Sequence, residues 1–300
     1  MTRPDWIDSK AYPFTDQFVE IEGCRLHYVD EGSGPPLLLL HGNPTWSFTW
    51  RNVIGGLRDT FRCIALDYPG FGLSTAPPDF GFTPPELSRV VDRFVSQLDL
   101  TNMTIMGHDW GGPIGFRVAT WQPDRVAAFI IGNTWAWPVT DERGARFFSG
   151  FLGGRIGGYL VLKRNFFVER IIPSGVKRTQ MPPEAMKAYR GPFQTSESRR
   201  PIHVLPRHII ASTPFLAELE RDLEKVRDLP ALIVWPTKDR AFGDAARKRW
   251  EEKFPRHTTV LLEGAGHYIG EDAADEIVEA VRAWPDSPAK ALGTPETPSP

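Results

Sequence analysis

The sequence is poor in cysteine and has no long hydrophobic segment. Only two cysteines, Cys24 and Cys63, occur in 300 residues, and their spacing fits no metal-binding or redox motif, so both are expected to be small buried residues. The longest apolar runs, such as residues 37–40 and 231–235, have the length of a strand and are too short to cross a bilayer. The N-terminal residues also lack the apolar core of a signal peptide. These absences predict a soluble cytoplasmic protein.

A strong charge of either sign is also missing. The 35 lysines and arginines are balanced by 37 aspartates and glutamates, which gives a formal net charge of −2. Because the two signs are interspersed, the sequence gives no indication of a nucleic-acid partner or of an anionic membrane. His203, His208 and His257 have no partners at metal-ligand spacing, so no metal site is expected. Whether the protein forms a homo-oligomer is left open.

Short apolar segments alternate with segments of helical spacing along most of the chain. Strands are predicted at residues 18–23, 25–30, 36–40, 61–66, 103–106, 126–132, 232–235 and 259–262. Helices are predicted at residues 84–98, after the strand at 103–106 to about 121, and at 244–254 and 272–284. This alternation predicts an α/β fold with a mostly parallel central sheet and helices on both faces.

The alternation is interrupted between residues 137 and 214. This stretch is rich in Phe, Arg, Gly and Pro and contains no convincing buried strand. We expect a helical cap inserted at the carboxyl edge of the sheet, where ligand crevices form in open α/β folds; the alternative is a small domain with a structural role only. The predicted organisation is therefore a core at 1–136 and 215–284, a cap at 137–214 and a disordered tail at 285–300.

An aspartate occupies the central position of a G-x-nucleophile-x-G segment. Gly107-His108-Asp109-Trp110-Gly111 follows an apolar strand and precedes a stretch compatible with a helix, as in a nucleophile elbow. The two glycines leave room for a tight turn. A carboxylate suits displacement of a good leaving group from a saturated carbon better than it suits acyl transfer. Asp109 therefore favours attack on an alkyl halide or an epoxide.

Two further residues could complete a catalytic triad with Asp109. Asp239 follows the predicted strand at 232–235, and His267 follows the strand at 259–262. The order of nucleophile, acid and histidine along the chain is the one expected of an α/β-hydrolase. Each residue alone would be weak evidence, because loop histidines and aspartates are common. Three of them at strand ends in this order predict a triad. His41 and His108 are expected to hold loop backbone instead.

The chain resembles the haloalkane dehalogenases, a family with the α/β-hydrolase fold, from about residue 12 to residue 284. The resemblance rests on three stretches of the sequence: HGNPTWSFTWR at 41–51, DYPGFGLS at 67–74 and GHDWGG at 107–112. Epoxide hydrolases share the elbow but usually carry an aromatic residue at the position of Asn43. The resemblance implies hydrolysis of a small haloalkane by water to an alcohol, a halide and a proton. It implies no cofactor and no metal.

The leaving group distinguishes the two activities. A halide needs N–H donors and no proton, and the Asn43 amide and the Trp110 indole are such donors. An epoxide oxygen needs a proton, which related hydrolases take from paired cap tyrosines. Tyr159 and Tyr189 lie in the insertion, so epoxide hydrolysis stays open as the first alternative, although ordinary packing is favoured for both. A non-catalytic ligand-binding protein on this scaffold is the second alternative.

The resemblance also assigns the remaining positions. One group of dehalogenases has a glutamate acid after the strand that precedes the cap, where this chain has Asn133. The acid should therefore be Asp239, which indicates a subgroup with an aspartate acid and an Asn43–Trp110 halide pair. Backbone N–H groups of the same two residues should form the oxyanion hole. Seven aromatic residues are candidates for an apolar substrate pocket, although most of them are expected to be ordinary core residues: Trp135, Trp137, Phe147, Phe148, Phe151, Phe166 and Phe167.

Overall fold

A single eight-stranded sheet organises the part of the chain that the structure, a computed structural model, describes, namely residues 3–291. Its strands are β1 (Gln17–Ile21), β2 (Cys24–Glu31), β3 (Pro36–Leu40), β4 (Arg62–Leu66), β5 (Met103–Gly107), β6 (Val126–Ile131), β7 (Ala231–Pro236) and β8 (His257–Leu262). All eight lie at or within two residues of the strands predicted from the apolar segments.

The sheet is mostly parallel. The strand order is β1-β2-β4-β3-β5-β6-β7-β8. β1 pairs antiparallel with β2, and β2 pairs antiparallel with β4, while every later pairing from β3 to β8 is parallel. This confirms the predicted N-terminal antiparallel pair and the parallel sheet. The carboxyl ends of β3, β5, β6, β7 and β8 consequently lie side by side at one edge.

The central strands are apolar because both of their faces are covered. Leu37 to Leu40 in β3 and every residue of β5 are buried. The helices outside the inserted segment are α1 (Arg51–Leu57), α2 (Pro84–Gln97), α3 (Gly111–Trp121), and later α10 (Asp244–Lys253), α11 (Ile269–Asp272), α12 (Ala274–Ala283) and α13 (Pro288–Ala291). α1 packs against α12, and α2 packs against α3. The predicted fold class is confirmed.

The segment between β6 and β7 is helical. It contains α4 (Arg143–Leu152), α5 (Arg155–Arg164), a π-helical turn (Phe167–Ile171), α6 (Ile172–Gly175), α7 (Pro183–Arg190), α8 (Arg200–Ala211) and α9 (Thr213–Asp222). α4 packs against α5 and α8. The predicted cap boundary at residue 214 falls inside α9, because Pro214 occupies the first turn of that helix, where proline is tolerated. The helical segment thus continues to Asp222.

The C-terminal segment is ordered further than the sequence predicts. Residues 285–300 were expected to be disordered, but α13 covers Pro288–Ala291. Buried Trp284 and Ser287 hold this stretch on the core, and the Lys290 ammonium group donates to the Ala283 carbonyl at 3.0 Å. Residues 292–300 lie outside the described residues. None of the helices described between residues 3 and 291 combines the length and the apolarity needed to span a bilayer.

Candidate active site

Five polar residues follow five neighbouring parallel strands. Asn43 comes after β3, Asp109 after β5, Asn133 after β6, Asp239 after β7 and His267 after β8. Because these strands are adjacent in the order β3-β5-β6-β7-β8, their carboxyl ends bring the five residues to one edge of the sheet. The sequence predicted four of these residues as functional and gave Asn133 no positive role.

Asp109 adopts the strained backbone of a nucleophile elbow. Its φ is +51°, a left-handed conformation that L-residues rarely adopt, and it lies between β5 and α3. The residues packed beside this turn have no space for a side chain. A Cβ atom on Gly42 would lie 2.4 Å from the Asp109 Cβ, and one on Gly111 would lie 2.1 Å from the Leu40 carbonyl oxygen. The close packing around Asp109 thus requires glycine both in the loop after β3 and at the start of α3.

The Asp109 carboxylate is held by backbone donors. The Asn43 N–H donates to Asp109 Oδ1 at 2.8 Å, and the Trp110 N–H is the second backbone donor. The Thr134 hydroxyl donates to the backbone carbonyl of Asp109 at 2.6 Å. Burial raises the pKa of Asp109, against the opposing effects of His267 and of the Asn43 and Trp110 N–H groups. A carboxylate stripped of water but kept near N–H donors is a stronger nucleophile than a solvated one.

His267 and Asp239 form a close ion pair. His267 Nδ1 lies 3.0 Å from Asp239 Oδ2, and the Asp239 side chain is only 1% exposed while that of His267 is 15% exposed. Burial opposes both charges, yet His267 lowers the pKa of Asp239, and Asp239 together with Asp109 raises the pKa of His267. Nδ1 therefore carries the proton directed at Asp239, which leaves Nε2 as the basic nitrogen.

Asn133 joins the two members of this pair. Its Nδ2 donates to Asp239 Oδ2 at 2.6 Å and to the His267 carbonyl at 2.8 Å. It also lies 3.3 Å from His267 Nδ1. The residue cannot be the acid, as the sequence indicates, but the structure gives it contacts to both the carboxylate and the histidine backbone.

His41 and His108 hold loop backbone, which confirms the prediction for both. His41 Nδ1 donates to the Gly42 carbonyl at 2.9 Å, and the Tyr68 N–H donates to His41 Nε2 at 3.2 Å. His108 Nε2 donates to the His267 carbonyl at 2.9 Å. Burial lowers the pKa of His41 to about 4 and that of His108 to about 3, so both are neutral at pH 7.

The side chains of Asn43 and Trp110 are both buried beside Asp109. The only hydrogen bond that the Asn43 amide nitrogen makes among the described residues is a long one, 3.4 Å to the Ile202 carbonyl of α8, and Asn43 Oδ1 has no partner there. The Trp110 ring packs edge to face on Trp135, with 4.7 Å between ring centroids. The loosely held amide can turn toward a ligand at small cost, because little hydrogen bonding is lost.

The two cap tyrosines do not pair over the nucleophile. The Tyr189 hydroxyl donates to Glu271 Oε1 at 2.5 Å, and Glu271 in turn binds Arg51. Tyr159 is 55% exposed on α5. The expectation of ordinary packing is confirmed for Tyr189. Tyr159 instead lies at the surface.

The seven candidate pocket aromatics are scattered. Trp135 contacts the site through Trp110, whereas Trp137 packs on Trp250 at 4.9 Å and under Arg249, away from the nucleophile. Three others lie on the exposed side of α4: Phe147 is 75% exposed, and Phe148 and Phe151 are also exposed. Phe167 is buried and Phe166 is half-buried, with Phe167 packed edge to face on Phe148.

Sequence reasoning missed one aromatic residue at the site. Phe242, three residues after Asp239, stacks on His267 with 5.8 Å between ring centroids and on Trp135 with 5.3 Å. It therefore bridges the histidine and the Trp110–Trp135 pair. Its position in the loop that carries the acid was the available signal, but a lone phenylalanine in a loop has no distinctive spacing.

The geometry suits covalent catalysis followed by base-assisted hydrolysis. A buried carboxylate faces N–H donors, and a histidine oriented by a second carboxylate lies at the same edge of the sheet. Within residues 3–291, no group of three or more histidine, cysteine or carboxylate side chains is arranged to hold a metal ion.

Comparison with known proteins identifies relatives of the same architecture. The family model of the alpha/beta hydrolase fold matches residues 35–274. Haloalkane dehalogenase 2 of Mycobacterium tuberculosis is 44% identical over 91% of this chain and 96% of its own length. A cis-3-alkyl-4-alkyloxetan-2-one decarboxylase of Shewanella oneidensis is 33% identical over 90% of this chain and 88% of its own. The crystal structure of the haloalkane dehalogenase DatA from Agrobacterium tumefaciens superimposes with a TM-score of 0.82, at 28% identity over 90% of this chain and 95% of that one.

Proposed function

Since this chain belongs to the haloalkane dehalogenases of the α/β-hydrolase fold, we propose that it hydrolyses the carbon–halogen bond of small haloalkanes. The products are an alcohol, a halide and a proton. The observation that carries the proposal is the buried Asp109 carboxylate, which accepts from the Asn43 N–H at 2.8 Å at the same edge of the sheet as the His267–Asp239 pair.

Asp109 makes the first bond. One carboxylate oxygen attacks the carbon that bears the halogen and forms an alkyl ester, and the electron pair of the broken bond leaves with the halide. The Asn43 amide and the Trp110 indole donate to the departing anion, which needs no proton. The loose hold on the Asn43 amide, 3.4 Å from the Ile202 carbonyl, leaves this donor free to serve the halide.

His267 drives the second step. Its Nε2 takes a proton from a water molecule, which attacks the carbonyl carbon of the Asp109 ester. Collapse of the intermediate breaks the bond between this carbon and the alkoxide oxygen, the alcohol leaves with the proton held by His267, and Asp109 loses its own proton to become a carboxylate again. The backbone N–H groups of Asn43 and Trp110 stabilise the oxyanion, because both already face the carboxylate in the free enzyme. Asp239 keeps the imidazole oriented and stabilises its positive charge, and Asn133 holds Asp239 in place.

A trapped intermediate tests the mechanism. Replacing His267 by phenylalanine removes the base but leaves Asp109 intact, so incubation with a bromoalkane should add the mass of one alkyl group to Asp109. The matched control is Asp109→Asn with the same substrate, which should stay unmodified. An unmodified His267→Phe protein would contradict the two-step scheme. It would also be the result expected of a non-catalytic ligand-binding protein.

Epoxide hydrolysis is the rival with the same nucleophile. Neither Tyr159, exposed on α5, nor Tyr189, bonded to Glu271, is placed to protonate an epoxide oxygen. Halide release from a bromoalkane should therefore exceed diol formation from the matching epoxide. Faster diol formation would favour the rival.

A strained lactone is a second candidate substrate, because it shares one property with a haloalkane. The relative from Shewanella oneidensis is named for decarboxylation of cis-3-alkyl-4-alkyloxetan-2-ones. Opening such a ring at its alkyl carbon releases a carboxylate, which like a halide departs without a proton and is suited to the N–H donors of Asn43 and Trp110. Loss of CO2 from the ring-opened ester, with departure of the Asp109 carboxylate, would then give an alkene. Formation of that alkene from an oxetan-2-one, followed by gas chromatography, tests this activity.

A further inference from the structure

The outer face of the cap exposes an unusual number of apolar side chains. Of the eight large apolar side chains that are exposed in residues 3–291, five lie between residues 147 and 159. Phe147 and Ile156 are the most exposed, at 75% and 70%. A concentration of this kind on one face is typical of an interaction surface.

These side chains and several cations lie on the exposed sides of α4 and α5, two consecutive helices that pack against each other. On α4, the exposed positions Arg143, Arg146, Phe147, Gly150 and Phe151 follow the three- and four-residue spacing of a single helix face. The Phe147 and Phe151 rings lie nearly parallel, with 6.1 Å between centroids. Arg155, Ile156, Tyr159 and Lys163 repeat the pattern on α5. We call this surface, from Arg143 to Arg164, the outer cap face.

The opposite side of α4 faces the protein. Ser149 and Leu152 are buried, and the Ser149 hydroxyl donates to the Arg207 carbonyl of α8 at 3.2 Å. α4 therefore buries Ser149 and Leu152 and exposes its phenylalanines, which departs from the usual pattern of a surface helix.

The outer cap face is strongly basic although the chain as a whole is not. Its cations are Arg143, Arg146, Arg155, Lys163 and Arg164, and residues 143–164 include no aspartate or glutamate. None of the five makes an ion pair with the part of the chain that the structure describes. Asp141 and Glu142, just before α4, are the nearest acids in sequence. The formal net charge of −2 conceals this local excess.

We propose that the outer cap face docks on anionic lipid membranes. Phenylalanine and isoleucine side chains on a helix face can enter the boundary between headgroups and acyl chains, while arginine and lysine bind lipid phosphates. The phosphates of a nucleic acid would bind the cations, but the Phe147 and Ile156 side chains would stay exposed to water. Pairing of two copies through this same face would bring the five cations of each copy together, which is unfavourable.

Docking would also orient the catalytic edge of the sheet. α4 packs on α8, and the Ile202 carbonyl of α8 lies 3.4 Å from the Asn43 amide nitrogen. The proposed membrane surface is thus separated from the site by one helical layer. Apolar substrates concentrate in lipid, so a docked enzyme would have its cap next to the phase that holds them.

Vesicle cosedimentation of the full-length protein tests the proposal. We expect binding to vesicles that contain phosphatidylglycerol and weak binding to phosphatidylcholine alone, with the difference reduced at high salt. The double variant Arg146→Glu/Arg155→Glu should weaken binding to the anionic vesicles at least about tenfold. Phe147→Ser/Ile156→Ser should weaken it as well. Arg221→Glu and Leu261→Ser, exposed residues away from this face, are the matched controls and should bind like the wild-type protein.

The possible results distinguish membrane docking from misfolded variants and from self-association. Unfolding temperatures close to that of the wild type would establish that the variants fold, as expected for exposed positions. Absence of binding to anionic vesicles would overturn the proposal, and so would equal binding by the charge-reversal variant. Concentration-dependent self-association that Phe147→Ser/Ile156→Ser abolishes, without vesicle binding, would assign the face to contacts between copies and would overturn it too.

Discussion

Removing the Asn133 amide should slow the second step of catalysis and leave the first step intact. The amide donates to the ionised Asp239 at 2.6 Å inside the protein, and a hydrogen bond to a charged group contributes about 1.5–3 kcal/mol. In Asn133→Ala, the His267 carbonyl keeps the His108 donor at 2.9 Å, so the loss falls mainly on Asp239. When this free energy is lost from the transition state for ester hydrolysis, the rate of ester hydrolysis falls about 10- to 100-fold.

Rapid-quench kinetics measures the two steps separately. Asn133→Ala should release one halide per active site in a fast burst and then turn over slowly, because alkylation does not use the His267–Asp239 pair. The thermal unfolding midpoint should fall by about 3–10 °C. Thr104→Val is the control, since the Thr104 hydroxyl on β5 is buried without a partner among the described residues, and its loss should leave both steps unchanged. An unchanged hydrolysis rate with a lowered midpoint would reduce Asn133 to a scaffold residue.

Three further substitutions give separate readouts. Asn43→Leu should slow carbon–halogen cleavage about 100-fold, measured as the rate of the halide burst. It should affect ester hydrolysis far less, because the backbone N–H of the oxyanion hole is retained. Equal slowing of both steps would contradict the role assigned to the amide. Gly42→Ala places a Cβ 2.6 Å from Asp109 Oδ1 and should reduce halide release about 100-fold, so near-normal release would mean that the elbow relaxes easily. His27 donates to the buried Asp67 at 2.7 Å, and although burial alone would lower its pKa, Asp67 and Asp16 raise it to about 9 from 6.5. The stabilisation that charged His27 gives the folded protein is complete below pH 6.5 and is lost as the pH rises through 9. The free energy of unfolding of the wild type, measured by urea denaturation, should therefore fall by about 3 kcal/mol over that interval. It should fall much less in His27→Gln.

The sheet and its elbow could be predicted because their signals are local. β3 and β5 are continuous apolar runs, and Asp109 lies between a strand and a helix that are both readable in the sequence. Parallel strands place their carboxyl ends at one edge, so Asp239 and His267 could be expected near Asp109 from their positions after predicted strands and from their order along the chain.

The role of Asn133 could not be predicted because its partners are distant in sequence. It binds Asp239 and the His267 carbonyl, 106 and 134 residues away, and an asparagine after a strand is otherwise an ordinary loop residue. The same holds for Phe242, whose stacking on His267 depends on how the loop after β7 folds back.

Which of the candidate pocket aromatics face the substrate could not be predicted for a related reason. Composition marks residues 137–214 as rich in phenylalanine, but it does not say which side of α4 faces inward. Ser149 and Leu152 are buried there, and Phe147 and Phe151 are exposed. A helix that exposes its largest apolar residues defeats the assumption that apolar residues mark the core, and this exception is itself the sign of an interaction surface.

The opposite pKa shifts of the two carboxylates connect the two chemical steps. Burial raises the pKa of Asp109, whereas Asp239, despite its own burial, is kept ionised by His267, the Ala241 N–H and Asn133. Asp109 is one of the charges that raise the pKa of His267. Alkylation converts Asp109 to a neutral ester and removes that charge, so the pKa of His267 falls when the imidazole has to act as a neutral base. The nucleophile thereby prepares the base for the second step, and Asp239 must stay ionised throughout to keep the imidazole oriented.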